Sequence, residues 1–337
     1  MKRNLLYLVL LLAAAGAVYL LVKQRGGTLD KNEQSFAIAD TAAVGRLFIA
    51  DMQGNKVDLT RTPDGWLLNG RQPASKPAVD LMLSTLQRLA VRYPVPDATR
   101  GTVIKEMAAR NRKVMVYNRD GELMKTMYIG DAPLDYRGSY MLIDGAANPY
   151  VVEVPGFQGT LDTRFITDSI RVRDAAILSV PFNALVEVSV VYREQPDSSF
   201  AIDMSKADSF RVFNPVTNEA LWRRDVDKNK IFAYVNLLKR VNAESYESHS
   251  PVRQTVLAQR PFAVFTVKRR DGSVTTIECY DKPTDRRSKT QFDTAGAPVA
   301  FDVDRFYGLV DGREFVLLQH YHFGQLLRNI GYFRSAR

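Results

Sequence analysis

The chain has 337 residues, 46% of them hydrophobic and 25% charged, which is typical of globular proteins and sufficient for two ordinary domains. The formal net charge is +9, but residues 1–27 contain four basic residues and no acidic residue, so the remainder is only mildly basic. Short basic runs such as Arg286-Arg287 are typical of a solvated loop. The composition therefore argues against nucleic-acid binding, which needs a clustered basic face.

The N-terminal segment contains an unbroken run of 18 uncharged, mostly apolar residues, from Leu5 to Val22. As a helix it would span about 27 Å, near the thickness of a bilayer core. A cleaved signal peptide could use Ala15-Gly16-Ala17, but the apolar run continues past that site and favours a retained anchor. The very short N-terminal tail is expected in the cytoplasm. We predict a single-pass inner-membrane protein with a periplasmic body, an anchor with its flank at residues 1–27, and a tether at residues 28–35.

Two stretches of the body repeat the same pattern. Val79, Met82, Leu83, Leu86 and Leu89 have the spacing of an amphipathic helix, which an alternating hairpin with the turn Arg119-Asp120-Gly121 follows. The second stretch repeats this order, with its helical stripe at Ile231, Tyr234, Val235, Leu238 and Val241 and its turn at Arg270-Asp271-Gly272. Paired strands at Val44 to Asp51 and Lys56 to Thr62 precede the first stripe, and Ser75 is expected to cap its helix.

The repeat is predicted to continue past both hairpins at a shift of 149 residues. That shift superposes Gly159 on Gly308 and Arg164 on Arg313. The predicted fold is therefore α+β: an N-terminal transmembrane helix followed by two tandem copies of an antiparallel sheet-plus-helix unit.

The predicted boundaries follow from the two copies. The first α+β repeat domain is residues 36–166 and the second is residues 184–317. Residues 167–183 are too apolar for a free linker and are expected to pack. Residues 318–337 are predicted to form a C-terminal helix, at Phe323 to Phe333, and a basic tail.

Few residues indicate chemistry. His320 and His322 would face one side of a strand and are candidate metal ligands, although the pattern is more typical of surface or packed histidines. Asp293-Thr294-Ala295-Gly296 resembles a protease Asp-Thr-Gly motif but contains an extra alanine, so a turn explains it better. Phosphate-binding loops and a Ser-His-Asp arrangement are not evident, and no cofactor is predicted. The lone Cys279 excludes an internal disulfide and is expected to be buried.

The superposed Arg164 and Arg313 each follow a matched aspartate by two positions. They are candidate contacts for an anion or a protein partner between the copies. The alternative is that each Asp-x-Arg pair ties a loop to its own domain.

Three passages carry a family resemblance: Gly65-Trp66-Leu67-Leu68-Asn69-Gly70, Tyr128-Ile129-Gly130-Asp131, and Ser139-Tyr140-Met141-Leu142 leading to Pro155-Gly156-Phe157. The chain resembles the bacterial envelope family catalogued as domain of unknown function 4340. The resemblance implies an extracytoplasmic protein with a single span, in some cases encoded near auxiliary subunits of gliding-type ABC transporters. It brings no catalytic residues, and Arg286, Arg287 and Lys289 stand where the second copy departs from the Ile-Gly-Asp passage.

Two functions follow as hypotheses. The first is a non-enzymatic, membrane-anchored binding or scaffold protein of the cell envelope, accessory to such a transporter, with an envelope or transporter protein as its partner. The second is an envelope hydrolase that acts on polysaccharide or peptide in the cleft between the two repeats.

Overall fold

The computed structural model describes residues 34–206 and 209–335. The predicted anchor at Leu5 to Val22 and nearly all of the predicted tether lie outside these residues. In the described part of the chain, every helix is too short or too polar to cross a bilayer. The chain divides into two compact units between Asp174 and Ala175.

In the first unit, the described strands form one antiparallel sheet with the order β4-β3-β2-β1-β6-β7-β8-β9-β5. These strands are β1 (Val44–Asp51), β2 (Lys56–Thr62), β3 (Gly65–Leu68), β4 (Gln72–Pro73), β5 (Ala90–Pro94), β6 (Arg112–Asn118), β7 (Leu123–Ile129), β8 (Ser139–Ile143) and β9 (Tyr150–Glu153). The helices are α1 (Lys76–Arg88), α2 (Asp97–Ala109) and α3 (Ser169–Val172).

In the second unit, the main sheet has the order β13-β12-β11-β16-β17-β18-β19-β15, and β10 pairs separately with β14. These strands are β10 (Ala176–Leu178), β11 (Leu185–Tyr192), β12 (Phe200–Asp203), β13 (Arg211–Phe213), β14 (Val241–Asn242), β15 (Ser245–Tyr246), β16 (Ala263–Arg269), β17 (Val274–Pro283), β18 (Phe301–Val310) and β19 (Glu314–Gln319). The helices are α4 (Lys228–Leu237) and α5 (Arg253–Leu257).

The two sheets follow the same path. In each, the first strand lies inside the sheet, the next strands extend one side, three in the first unit and two in the second, and the later hairpins extend the other. The strand at the edge beyond these hairpins is β5 in the first unit and β15 in the second. Each precedes the hairpin strands in the chain and lies between two helices. The prediction is thus confirmed in its coarser form, as antiparallel sheets that carry a few helices.

Each core forms where a helix stripe meets the inner face of its sheet. In the first unit, Val79, Met82 and Leu86 of α1 are almost fully buried, as their spacing predicts. Phe36 is also buried and packs edge-on against Tyr150, with ring centroids 6.0 Å apart. Ser75 occupies the position before α1, but its side chain makes no capping hydrogen bond, contrary to the prediction.

The second core is completed by the C-terminal segment, and here the prediction of a single helix at Phe323 to Phe333 is wrong. The segment forms two short 3-10 helices, Phe323–Gln325 and Ile330–Phe333. Phe323, Leu326 and Phe333 are buried among the residues of α4 and the sheet. A spacing of three to four residues fits both a helix and a pair of tight turns, and it alone cannot distinguish them.

The predicted connector at residues 167–183 contributes to both units. Its first half contains α3, and the Val172 carbonyl accepts a hydrogen bond from the Ser75 amide within the first unit. Its second half contains β10, which pairs with β14 in the second unit.

Candidate functional site

The superposition of Arg164 on Arg313 is wrong, because the two residues occupy different places in the strand order. Arg164 follows the last strand of its sheet, and its guanidinium lies 3.7 Å from the ring centre of Phe157. Arg313 lies in the turn between β18 and β19. The two candidate anion or partner contacts therefore are not equivalent positions.

The mismatch arises from one longer connection. Ile129 of β7 pairs with Met141 of β8, 12 residues later, whereas Cys279 of β17 pairs with Gly308 of β18, 29 residues later. The second connection is thus 17 residues longer, so the shift between equivalent strands changes at this point and does not stay near 149. Glycine and aspartate recur in turns irrespective of register, so matches of these residue types at a shift of 149 do not establish equivalent positions.

The structure separates the two candidate metal ligands. His320 and His322 follow the end of β19 and do not share a strand face, contrary to the prediction. The His320 ring packs on Phe306, with centroids 4.7 Å apart, and partial burial lowers the pKa of its imidazole. Among the described residues, no three His, Cys, Asp or Glu side chains are grouped so that they could hold a metal ion. The structure thus provides no ligand set for this pair.

A small groove lies beside His322 in the second unit. It encloses about 410 Å³ and is also lined by Arg240, Asn242, Glu244 and Gln325. Glu244 accepts hydrogen bonds from Arg305 Nε at 2.8 Å and from Gln319 Nε2 at 2.9 Å. Burial alone would raise the pKa of Glu244, but these hydrogen bonds outweigh it and lower the pKa. The carboxylate therefore stays ionised and is held by its neighbours, which does not suit a general acid.

A buried charge cluster lies at the base of the longer connection. Lys282 Nζ lies 3.1 Å from Asp302 Oδ2, 3.0 Å from Asp285 Oδ2 and 3.3 Å from Ser288 Oγ. The exposed fractions of Lys282, Asp302 and Ser288 are 5% or less. Sequence patterns do not reveal this cluster, because its members are up to 20 residues apart and become neighbours only through the β17–β18 pairing.

The cluster resembles a Ser-Lys catalytic pair in composition, but its protonation argues against that chemistry. Burial alone would lower the pKa of Lys282, but hydrogen bonds to Asp285 and Asp302 outweigh it and raise the pKa. The ammonium therefore cannot accept a proton from Ser288 at neutral pH. Ser288 Oγ also hydrogen-bonds Asp302 Oδ2 at 2.6 Å. The cluster is best explained as a clamp that holds the connection.

The equivalent connection in the first unit exposes apolar side chains on a rigid support. We call residues Asp131–Gly138 the apolar loop. Leu134 is 99% exposed and Tyr136 is 72% exposed. Tyr136 also has a φ of 53°, a left-handed conformation that costs a non-glycine residue about 1 kcal/mol or more.

Ion pairs at both ends hold the apolar loop. Arg92 of β5 contacts Asp135 at 2.6 Å and also donates to the Arg137 carbonyl at 3.3 Å. Arg110 contacts Asp131 at 2.8 Å. The hydrogen bond and charge of Arg92 lower the pKa of Asp135. The Arg137 amide also donates a hydrogen bond to the Asp135 carboxylate, which adds to this effect. The loop thus presents two large apolar side chains to solvent from a fixed frame.

Gly138 closes the apolar loop, and its replacement provides a test of that frame. Gly138 has a φ of 85°, and a Cβ built there would lie 2.2 Å from the Val152 carbonyl oxygen. We expect Gly138→Ala to lower the free energy of unfolding by about 3 kcal/mol, through left-handed strain and backbone overlap together. Urea denaturation followed by Trp66 fluorescence in a Trp222→Phe background measures this in the first unit.

The matched control is Gly145→Ala. Gly145 has a similar φ of 80°, but nothing lies within 4 Å of a Cβ built there. Its cost should be only the backbone strain, about 1 kcal/mol. Equal losses for the two variants would contradict close packing of Gly138 against β9.

The longer connection of the second unit also exposes apolar residues. We call residues 284–300 the arm. Every residue from 291 to 298 is exposed, and Phe292 is 60% exposed. The predicted turn at the tip is observed, because Asp293 Oδ1 accepts hydrogen bonds from the amides of Ala295 and Ala297. Just beyond the arm, Phe301 and Val303 are 47% and 52% exposed. The same connection of the fold therefore presents apolar groups in both units.

Comparisons of this chain with protein-family models, with curated proteins and with solved structures find no match. The resemblance to the envelope family therefore stays a prediction.

Proposed function

We propose that this protein is a membrane-anchored, extracytoplasmic binding or scaffold protein of the bacterial cell envelope, built from two copies of one α+β unit. The two sheets have the same strand order apart from the extra edge strand β4, which supports the duplication. The Asp-Gly hairpin turns support it too, since Gly121 and Gly272 have matching φ values of 85° and 83°. The apolar segment Leu5 to Val22 supports the anchor. The proposal includes a role as an accessory protein of a gliding-type ABC transporter, which the family resemblance implies.

The observation that carries the binding role is the apolar loop. Leu134 and Tyr136 are exposed, and the backbone of Tyr136 also bears left-handed strain. Apolar side chains fixed in a costly conformation are typical of binding sites, because a preorganised anchor loses little entropy when a partner covers it. We infer that an envelope protein with an apolar pocket covers these two side chains.

The test is co-purification of the full chain from solubilised membranes at native expression. Leu134→Asp is expected to reduce the recovered partner by about ten-fold or more, because it places a charge in an apolar contact. Leu123→Asp is the matched control, because Leu123 is also exposed, at 53%, but lies in β7 outside the loop. Recovery of the protein alone, or equal losses with both variants, would contradict the proposal.

A second variant separates binding from folding. Tyr136→Gly removes the side chain and relieves its left-handed strain, so the free energy of unfolding should not fall appreciably. Partner recovery should nevertheless drop. A variant that binds normally would show that Tyr136 serves only to shape the loop.

The hydrolase alternative needs acidic residues, or the pair His320 and His322, gathered in a cleft. His322 lines the groove with Glu244, while His320 packs on Phe306. No observation in the described residues favours this alternative, so we propose no reaction.

A further inference from the structure

The arm of the second unit combines fixed cations with exposed apolar groups. Arg286, Arg287 and Lys289 are all exposed, and no acidic side chain of the described residues lies within ion-pair distance of them. The sequence of this run is typical of a solvated loop. In the structure the run is held by a buried charge cluster and lies next to exposed apolar side chains.

The buried clamp explains why these cations are unpaired. Asp285 is the acid closest in sequence to Arg286 and Arg287, but its carboxylate points to Lys282, 3.0 Å away. Its other oxygen accepts a hydrogen bond from the Arg287 amide at 2.8 Å. Because the Asp285 carboxylate is turned toward Lys282 and makes no ion pair with Arg286, Arg287 or Lys289, three positive charges within four residues remain for a partner outside the protein.

The clamp also fixes the geometry of this turn. Ser288 Oγ accepts from the Asp285 amide at 3.1 Å and hydrogen-bonds the buried Asp302 at 2.6 Å. The arm backbone continues in ordered pairing, with the Val299 amide 3.0 Å from the Gln291 carbonyl and the Thr284 amide 3.0 Å from the Ala300 carbonyl. The cations therefore lie on a built turn.

Apolar groups flank the cations. Phe292 follows Lys289 by three residues, and Phe301 pairs with Pro283 at the base of the arm. Phe301 and Val303 alternate with the buried Asp302, so they lie on the opposite strand face from the clamp. An exposed aromatic beside several cations is the combination that settles at the boundary between lipid headgroups and acyl chains.

We propose that the arm binds the anionic headgroups of a bilayer surface, with Arg286, Arg287 and Lys289 on the phosphates and Phe292 at the acyl boundary. The inference rests on the proposed membrane anchor, which would bring the body to such a surface. Charge complementarity favours lipid, since each cation near an anionic leaflet adds an attraction that salt screens. The exposure of every residue from 291 to 298 suits a fluid surface, which needs no preformed pocket.

A single fluorophore at the arm tip tests the proposal. Cys279 is the lone cysteine, is buried, and has a thiol whose pKa burial raises, so it should resist labelling. A Thr294→Cys variant of the full chain can then take an environment-sensitive thiol dye at the tip alone. The labelled protein is placed in nanodiscs of phosphatidylcholine, with or without phosphatidylglycerol.

The expected result is a blue-shifted emission, about two-fold brighter, only in nanodiscs that contain phosphatidylglycerol and only at low salt. Reversing the three charges with Arg286→Glu, Arg287→Glu and Lys289→Glu should abolish the response. The matched control is Arg223→Glu with Arg224→Glu, two exposed cations elsewhere in the second unit, which should leave it intact. Unchanged near-ultraviolet circular dichroism confirms that each variant is folded.

Other outcomes would overturn the proposal. Equal emission in both lipids means that the arm does not recognise anionic headgroups. A response to soluble polyglutamate without a response to lipid assigns the arm to an acidic protein partner. If the chain does not enter nanodiscs at all, the membrane anchor and with it the proposed function are contradicted. If the chain enters nanodiscs but the dye does not respond, only the proposed role of the arm is contradicted.

Discussion

Replacing Phe333 by alanine is expected to lower the free energy of unfolding of the second unit by about 3 to 5 kcal/mol. Phe333 is fully buried, and its ring centroid lies 4.8 Å from that of Phe200 and 5.3 Å from that of Tyr234. Its carbonyl also accepts a hydrogen bond from the Asp227 amide, which precedes α4. Truncation would leave a cavity between a helix and the sheet. Hydrogen exchange of the full chain, resolved by peptide, measures the loss in α4 and β12.

Phe292→Ala is the matched control for this substitution, because it removes the same side chain from a position that is 60% exposed. Its effect should stay within about 0.5 kcal/mol. Peptides of the first unit should exchange as in the unaltered protein in both cases. If Phe333→Ala costs no more than Phe292→Ala, the C-terminal segment does not belong to the core.

Replacing Lys282 by methionine is also expected to destabilise the second unit by about 3 to 5 kcal/mol, because it leaves a buried carboxylate unpaired. The side chains of Lys282 and Asp302 are 6% and 1% exposed, so water cannot replace the lost partner. Lys289→Met is the matched control, since Lys289 is exposed in the same arm. Urea denaturation with peptide-resolved hydrogen exchange measures both variants at pH 7.

The pH dependence gives a second readout for this variant. Burial alone would raise the pKa of Asp302, but hydrogen bonds from Ser288, the Asp304 amide and Lys282 outweigh it and lower the pKa. In the unaltered protein, the ionised Asp302 carboxylate stabilises the folded state. This stabilisation is fully present above the unfolded-state pKa of about 3.9 and is lost as pH falls through the lower folded-state pKa. Without Lys282, Asp302 should instead protonate readily. The penalty of Lys282→Met should therefore shrink below about pH 4, and an equal penalty at about pH 3 and at pH 7 would contradict the buried ion pair.

Local patterns in the sequence predicted the parts of the fold that neighbouring residues determine. The strands Val44–Asp51 and Lys56–Thr62 were predicted with the observed bounds, and the stripe of α1 is buried as expected. The Asp-Gly hairpins form because glycine adopts the positive φ of the turn without steric cost. The second helix of the first unit, α2, begins at Asp97, directly after Pro96.

The candidate site depends on pairing between distant residues, and periodicity carries no information about that. The exposed Leu134 is an ordinary loop residue in sequence, and only the ion pairs of Arg92 and Arg110 show that it is held. Likewise Lys282 belongs to an alternating strand in sequence, and its burial follows from the register of β17 on β18. Matching identical residues at a fixed shift of 149 placed residues of turns on residues of strands, because a fixed shift does not allow for the longer connection of the second unit.

The central place of the first strand has a consequence for synthesis. Val44 of β1 pairs with Asn118 of β6, and Ala90 of β5 pairs with Glu153 of β9. At translation rates of about 5 to 20 residues per second, the apolar face of the opening hairpin, complete at Thr62, waits about 3 to 11 s for β6 to follow. The nascent segment is therefore expected to need a chaperone over that interval, and the first unit can close before β11 of the second unit is made.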